Sequence, residues 1–152
     1  MNIFCRYVAN ESTKESKLRL LHFKILHNIF PSNVHLFKMK IKETDQCEYC
    51  GETDYIEHLF INCARLRGYW ENVAKEINMR LNINLKLTDL NILFGITGQN
   101  QNYSKKQIRI INHIILIAKM TISKARAANL NNRHTIQSIL EAELSLREQY
   151  LV

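Results

Sequence analysis

The sequence predicts a mainly α-helical protein, and both its composition and its apolar pattern support that prediction. The 152 residues include one proline and four glycines, too few for an all-β fold with many short strands and turns. Apolar residues recur at the three- and four-residue intervals of helix faces. With 46% apolar and 23% charged residues, the chain has the composition of a soluble globular protein and is long enough to bury a core.

The first part of the chain is predicted to form two helices separated by Pro31. The first spans 14–30, because its apolar residues share one face, and Pro31 ends it because the proline ring cannot continue a helix. Ser32 or Asn33 can cap a second, short helix. The apolar residues of the two helices are Leu18, Leu21, Ile25 and Ile29, and then Val34, Phe37 and Met39.

Helical periodicity continues through the rest of the chain. A tight turn is expected at 47–51, and Gly95 is expected to end a short helix. The helices predicted after the turn span 55–62, 64–80, 103–128 and 134–151, and 87–94 is predicted to be a short helix or a turn. The segment 103–128 is the longest, and its middle is apolar on nearly every side, so we expect it to be the central packed helix.

The chain divides into an N-terminal part, 1–80, and a basic C-terminal helical region, 81–152. We expect the second to be a helical bundle that packs with the first as one unit. The net charge of +7 lies in the later residues: 64–152 carry 13 Lys or Arg and 6 Asp or Glu, whereas 1–63 carry 8 of each. No acidic residue lies between Asp89 and Glu141. This asymmetry favours a polyanionic partner.

Three of the four cysteines cluster with a histidine in the pattern Cys47-x2-Cys50-x7-His58-x4-Cys63. Thiolate and imidazole are the ligands that zinc prefers, and four of them close a tetrahedral site without an open position for water. The pattern therefore predicts a structural Zn²⁺ rather than a catalytic one, in a small zinc-stapled turn that joins helical segments. The alternative is a group of reduced core cysteines beside an unrelated histidine.

The residues around these cysteines resemble the zinc-binding segment at the C-terminal end of reverse transcriptases from non-LTR (LINE-type) retrotransposons. The resemblance covers about residues 18 to 75. The matching residues are Cys47-Glu48-Tyr49-Cys50-Gly51, Glu52-Thr53, Glu57-His58-Leu59-Phe60, Cys63 and Trp70. It implies that the two Cys-x2-Cys thiols, the histidine and the last cysteine bind zinc. It also implies a segment that helps to hold template RNA or target DNA during primed DNA synthesis.

The chain departs from that family in lacking its catalytic residues. The Tyr/Phe-x-Asp-Asp loop of the polymerase is absent, and the only aspartates are Asp45, Asp54 and Asp89, too scattered for a two-metal carboxylate site. We therefore expect no enzymatic activity from this chain itself. The polymerase part of a reverse transcriptase is a second expected partner, beside nucleic acid.

Basic and aromatic residues are the candidates for nucleic-acid contact. Cations can neutralise phosphates, and an exposed aromatic ring between the two thiols can stack on an unpaired base. The candidates are Tyr49, Arg65, Arg67, Lys105, Lys106, Arg109, Lys124 and Arg126. The alternative is a solvated basic surface on a purely structural or protein-interaction domain, whose zinc only ties helices together. Phe60 and Trp70 are expected in the core.

The compartment and the membrane relationship are also predicted. No signal peptide is evident at the N-terminus, and the most apolar stretch is too short to span a bilayer, so no membrane association is expected. Clustered cysteines in a reducing setting indicate metal more often than disulfide. We expect an intracellular protein, nuclear or cytoplasmic.

Overall fold

The protein is built mostly of helices, which confirms the predicted fold class. The computed structural model describes residues 3–97 and 102–152. The α-helices are α1 (Ile3–Ser12), α2 (Ser16–Leu26), α3 (Asn33–Lys38), α4 (Tyr69–Leu81), α5 (Asp89–Phe94), α6 (Lys105–Ala127) and α7 (Arg133–Leu146). A π-helical turn spans His58–Asn62, and 3-10 turns span Ala64–Leu66 and Glu148–Tyr150. Within the described residues no strand forms, and one isolated bridge pairs Gln46 with Thr53.

Helix α6 forms the centre of the fold, as predicted for 103–128. Every residue from 110 to 122 is buried. Helices α1, α2 and α4 pack against α6 from the N-terminal part of the chain, and α7 packs against it from the C-terminal region. One hydrophobic cluster includes side chains from all five helices. Burial on all sides explains why apolar residues lie on nearly every side of the middle of α6 rather than along a single stripe.

Side-chain caps fix where the C-terminal helices begin. Ser104 accepts a hydrogen bond from the Gln107 backbone N–H at 3.1 Å, and the Gln107 side chain accepts one from the Ser104 N–H at 2.9 Å. Thr88 and Asn91 form the same reciprocal capping box at the start of α5. These local signals place α5 and α6 close to the predicted 87–94 and 103–128.

The N-terminal helices depart from the prediction in two ways. Helix α1 was not anticipated, and it packs against α2 and α6. Helix α2 ends at Leu26, four residues short of the predicted limit, because Asn28 takes the left-handed conformation (φ +53°) and turns the chain before Pro31. Ser32 then caps α3, its side chain accepting a hydrogen bond from the His35 N–H at 3.3 Å, as predicted.

The predicted helices 55–62, 64–80 and 134–151 are interrupted or shortened. The first ends in the π-helical turn, and a 3-10 turn replaces the start of the second. Gly68 has a φ of +77°, which is outside the helical range, so α4 begins only after it. Helix α7 ends at Leu146 and is followed by a 3-10 turn.

None of the helices in the described ranges is both long and apolar enough to cross a membrane.

Candidate metal centre

The first two cysteines lie on one tight turn. The bridge between Gln46 and Thr53 closes the base of this turn. The Cys47 N–H donates to the Glu52 carbonyl at 2.7 Å, and the Gly51 N–H donates to the Cys47 carbonyl at 2.8 Å. Gly51 has a φ of +77°, which a residue without a side chain adopts readily. The turn therefore presents the two thiols to the same side.

The other two residues of the cluster lie at the ends of the π-helical turn. His58 begins it, and Cys63 follows it in extended conformation. The Cys63 N–H donates to the His58 carbonyl at 2.9 Å, a bond that spans five residues. The wider π-helical turn brings the side chains of His58 and Cys63 together across the four residues between them. An ideal α-helical turn would place these two side chains differently.

The four side chains converge as the motif predicts. One ligand atom from each of Cys47, Cys50, His58 and Cys63 lies within 4.8 Å of all the others. The sulfurs of Cys47 and Cys63 are 3.9 Å apart, close to the ~3.8 Å expected for two thiolates around a tetrahedral zinc ion. Nε2 of His58 lies 3.1 Å from the Cys50 sulfur. The donor set and its spacing therefore fit a zinc ion held by four protein ligands.

The two buried thiols of this cluster have different acidities. Burial raises the pKa of Cys63 to about 12. Burial also acts to raise the pKa of Cys47, but the backbone N–H groups of Cys50 and Tyr49 donate to its sulfur and bring the pKa below its ordinary value. A divalent cation at this position would offset the cost of a buried thiolate at Cys63.

Asp54 orients the histidine of the cluster. Its side chain is fully buried, and its Oδ1 lies 2.9 Å from Nδ1 of His58, which leaves Nε2 facing the three sulfurs. A carboxylate on the second ring nitrogen is the usual support of a metal-binding histidine. Sequence reasoning missed this role, although an aspartate four residues before the histidine was visible in the motif.

Two further groups, Arg126 and the Asn33 backbone N–H, help to keep Asp54 ionised. Arg126 donates to both carboxylate oxygens, at 3.0 Å to Oδ1 and 2.5 Å to Oδ2, and the Asn33 N–H donates to Oδ2 at 2.8 Å. Burial acts to raise the pKa of Asp54, but the hydrogen bonds from Arg126, Asn33 and His58 bring it below its usual range.

The predicted core positions of Phe60 and Trp70 are confirmed. Phe60 is fully buried, and its ring packs edge-on against Phe30 with centroids 5.0 Å apart. The Trp70 indole N–H donates to the Phe60 carbonyl at 2.6 Å, so the buried ring also has a hydrogen-bond partner for its polar group. These contacts attach the π-helical turn to the core.

The structure places the predicted nucleic-acid contacts in different environments. Arg67, Lys105 and Lys106 are exposed, Arg109 is half-buried and donates to the Tyr150 carbonyl at 3.3 Å, and the Tyr49 side chain is about half exposed on the turn between the thiols. Lys105, Lys106 and Arg109 share the N-terminal end of α6, and among the described residues none of the three forms an ion pair. Tyr49 and Arg67 lie on separate elements.

The remaining three candidates are engaged within the protein. Arg65 is buried, and its Nη1 lies 3.5 Å from the Asn131 side-chain oxygen. Lys124 is exposed and pairs with Glu143 at 2.7 Å. Arg126 is bound to Asp54, as described above. Arg126 therefore lies beside the cluster of cysteines and His58, and its side chain is only 17% exposed.

Lys119 is a further exception among the basic residues. It lies in the stretch without acidic residues between Asp89 and Glu141, but it is not exposed. It is fully buried in the middle of α6, and its ammonium group donates to the Leu93 carbonyl at 2.9 Å. Burial lowers its pKa to about 7. Lys119 is therefore not available at the surface to contact a phosphate.

Comparison with known proteins supports the zinc-binding assignment. Residues 3–70 match the family described as zinc-binding in reverse transcriptase. The matched segment contains all four residues of the cluster, together with α1 to α3 and the aromatic support up to Trp70. It stops before most of α4 and includes neither α6 nor α7. No curated protein and no solved structure matches the chain.

Proposed function

We propose that the chain is a zinc-binding, nucleic-acid-binding module from the C-terminal part of a reverse transcriptase of the non-LTR (LINE) type, without polymerase activity of its own. The observation that carries the proposal is the convergence of four ligand atoms within 4.8 Å, in a segment that matches reverse-transcriptase zinc-binding sequences. The departure of the sequence from the polymerase motif supports the absence of catalysis.

The zinc ion has a structural role in this proposal. Cys47, Cys50, His58 and Cys63 would hold it with no position left for substrate or water. Binding to such a site supplies folding energy, because the ligands are not assembled in the unfolded chain. Three thiolate ligands favour a reducing compartment, so we place the protein inside the cell, in the nucleus or the cytoplasm.

The cations at the N-terminal end of α6 support nucleic-acid binding. Lys105 and Lys106 are exposed, Arg109 follows one turn later, and no acidic residue lies on this helix. Such a group attracts phosphates without reading sequence, and its binding weakens steeply with salt because counterions are released. RNA template or target DNA is the proposed ligand.

A charge-matched anisotropy experiment tests this proposal. The zinc-loaded protein is titrated against fluorescent single-stranded RNA and duplex DNA at several salt concentrations. Replacing Lys105, Lys106 and Arg109 by Gln is expected to weaken binding and to reduce the slope of log K against log salt by about 2 to 3. The control replaces three exposed lysines elsewhere, Lys17, Lys75 and Lys86, and has the same net charge. Equal losses in both variants contradict a localised binding surface.

A purely structural or protein-interaction domain is the second candidate function. It is favoured by the engagement of Arg126 with Asp54, of Lys124 with Glu143, and by the burial of Arg65. In that case the polymerase part of a reverse transcriptase is the expected partner. Zinc-loaded protein that binds neither RNA nor DNA at low salt supports this alternative over the first.

A further inference from the structure

Asp54 and Arg126 connect two parts of the chain that are far apart in sequence. Asp54 lies between the second cysteine and the histidine of the metal cluster, whereas Arg126 is on the last turn of α6, 72 residues later. Both oxygens of the Asp54 carboxylate are used: Oδ1 by His58 and Arg126, and Oδ2 by Arg126 and the Asn33 N–H. The contact is therefore a fixed, two-pronged ion pair.

Arg126 also reaches the cysteine turn by a second route. Its Nη2 donates to the side-chain oxygen of Asn33 at 2.9 Å. The side-chain nitrogen of Asn33 in turn donates to the Gln46 carbonyl at 2.7 Å. Gln46 is the residue immediately before Cys47. The guanidinium group of Arg126 is thus connected to both halves of the cluster. It reaches His58 through Asp54, and it reaches the backbone next to Cys47 through Asn33.

The burial of this network makes each member dependent on the others. The Asp54 side chain has no exposed surface and that of Arg126 is only 17% exposed. Removing one charge of a buried pair leaves the other without compensation, which costs more than breaking an exposed pair. Without Arg126, the carboxylate would hold the His58 ring less firmly and would itself be destabilised.

We propose that Asp54 and Arg126 form an outer layer of the metal centre that couples zinc binding to the docking of the C-terminal end of α6. The coupling is reciprocal by thermodynamic necessity: if Arg126 strengthens zinc binding, zinc strengthens the attachment of Arg126 by the same factor. Zinc bound by residues 47–63 thereby orders the C-terminal end of the helix that forms the centre of the fold. This inference rests on the proposal that the cluster binds zinc.

Zinc affinity measured by competition with a chromophoric chelator tests the coupling. Arg126→Gln and Asp54→Asn are expected to weaken zinc binding about 10- to 100-fold, which is typical for outer-layer partners of a metal ligand. Arg126→Lys keeps the charge but loses the two-pronged geometry, so an intermediate loss is expected. This milder variant provides the test if either of the others fails to fold.

Lys124→Gln is the matched control. It removes one positive charge from the same end of α6, but its partner is Glu143 on α7 and it lies outside the network. We expect its zinc affinity to stay within about twofold of the parent. Equal affinity of the parent and Arg126→Gln overturns the coupling and leaves the zinc site intact. A parent protein that binds no zinc overturns both proposals.

Hydrogen exchange gives the reciprocal readout. In the parent, removing zinc is expected to increase amide exchange in the last two turns of α6 more than in its middle. In Arg126→Gln these amides are expected to exchange quickly even with zinc bound. Protection of these turns that is identical with and without zinc in the parent contradicts the inference.

Discussion

The buried lysine of α6 leads to a prediction about stability that is independent of metal and nucleic acid. Lys119 has no exposed surface, and its single described hydrogen bond runs to the Leu93 carbonyl. Its environment is apolar, so burial is what lowers its pKa from 10.5 to about 7. Methionine has a similar length and no charge, and we expect Lys119→Met to make the protein more stable at neutral pH.

The lowered pKa gives the size and the sign of this effect. The unfolded chain binds more protons than the folded one between pH 7 and pH 10.5, so the parent becomes more stable as the pH rises through this window. The two pKa values correspond to a cost of folding of about 4 kcal/mol at pH 7 and about 2 kcal/mol at pH 9. Losing the hydrogen bond to Leu93 costs about 1 kcal/mol. The net gain expected for Lys119→Met is therefore about 3 kcal/mol at pH 7 and about 1 kcal/mol at pH 9.

Urea unfolding of the metal-loaded proteins, followed by circular dichroism at pH 7, 8 and 9, measures these differences. Other titrating groups cancel when the variant is compared with the parent at the same pH. Lys124→Met is the control, because this side chain is half exposed and its change should be small and independent of pH. The reasoning is refuted if Lys119→Met destabilises the protein by the same amount at all three pH values.

Three further predictions concern the metal cluster, an acidic partner and a crowded glycine. Cys50→Ser is expected to lower the bound zinc from one equivalent to a fraction of one, as measured by mass spectrometry under native conditions. It is also expected to destabilise the fold, because metal binding contributes to folding. A variant as stable as the parent contradicts a structural zinc site. Hydrogen bonding to Arg147 lowers the pKa of Glu15, so stability from this pair is present above the unfolded pKa and is lost as the pH falls through the folded one. In Glu15→Gln, the free energy of unfolding measured in urea should therefore decrease less at acidic pH than in the parent. The difference should be up to about 1 kcal/mol, because Glu15 is partly exposed. Gly95→Ala is expected to lower the midpoint of thermal unfolding, since the glycine has a φ of +83° and an added Cβ would lie 2.6 Å from Val8 Cγ1.

The features that were predictable from the sequence are those set by local chemistry. The convergence of Cys47, Cys50, His58 and Cys63 follows from their spacing, and the start of α6 follows from Ser104 and a long apolar run. The short helix after Pro31 follows from a capping serine. In each case residues that lie close together in the sequence determine the structure, so a single sequence is sufficient.

The features that could not be predicted depend on contacts between distant residues. Nothing near Arg126 in the sequence distinguishes it from the exposed Lys124, and only the fold brings it to Asp54. Helix α1 owes its place to packing on α2 and α6, which its own sequence does not reveal. The burial of Lys119 similarly follows from the central position of α6, where all faces are covered.

The two ends of α6 therefore have different physical environments, although both are basic in sequence. At the C-terminal end Arg126 and Lys124 have acidic partners, so a phosphate there would have to displace a carboxylate before it gained a contact. At the N-terminal end Lys105 and Lys106 are exposed, and a phosphate would meet only their hydration. Since counterion release depends on charges that are not already neutralised by the protein, the salt dependence of binding should come from the N-terminal end. The two proposals together predict that substitutions at the two ends of α6 have separate effects. Replacing Arg126 should change the zinc affinity, whereas replacing Lys105 and Lys106 should change the salt dependence of nucleic-acid binding.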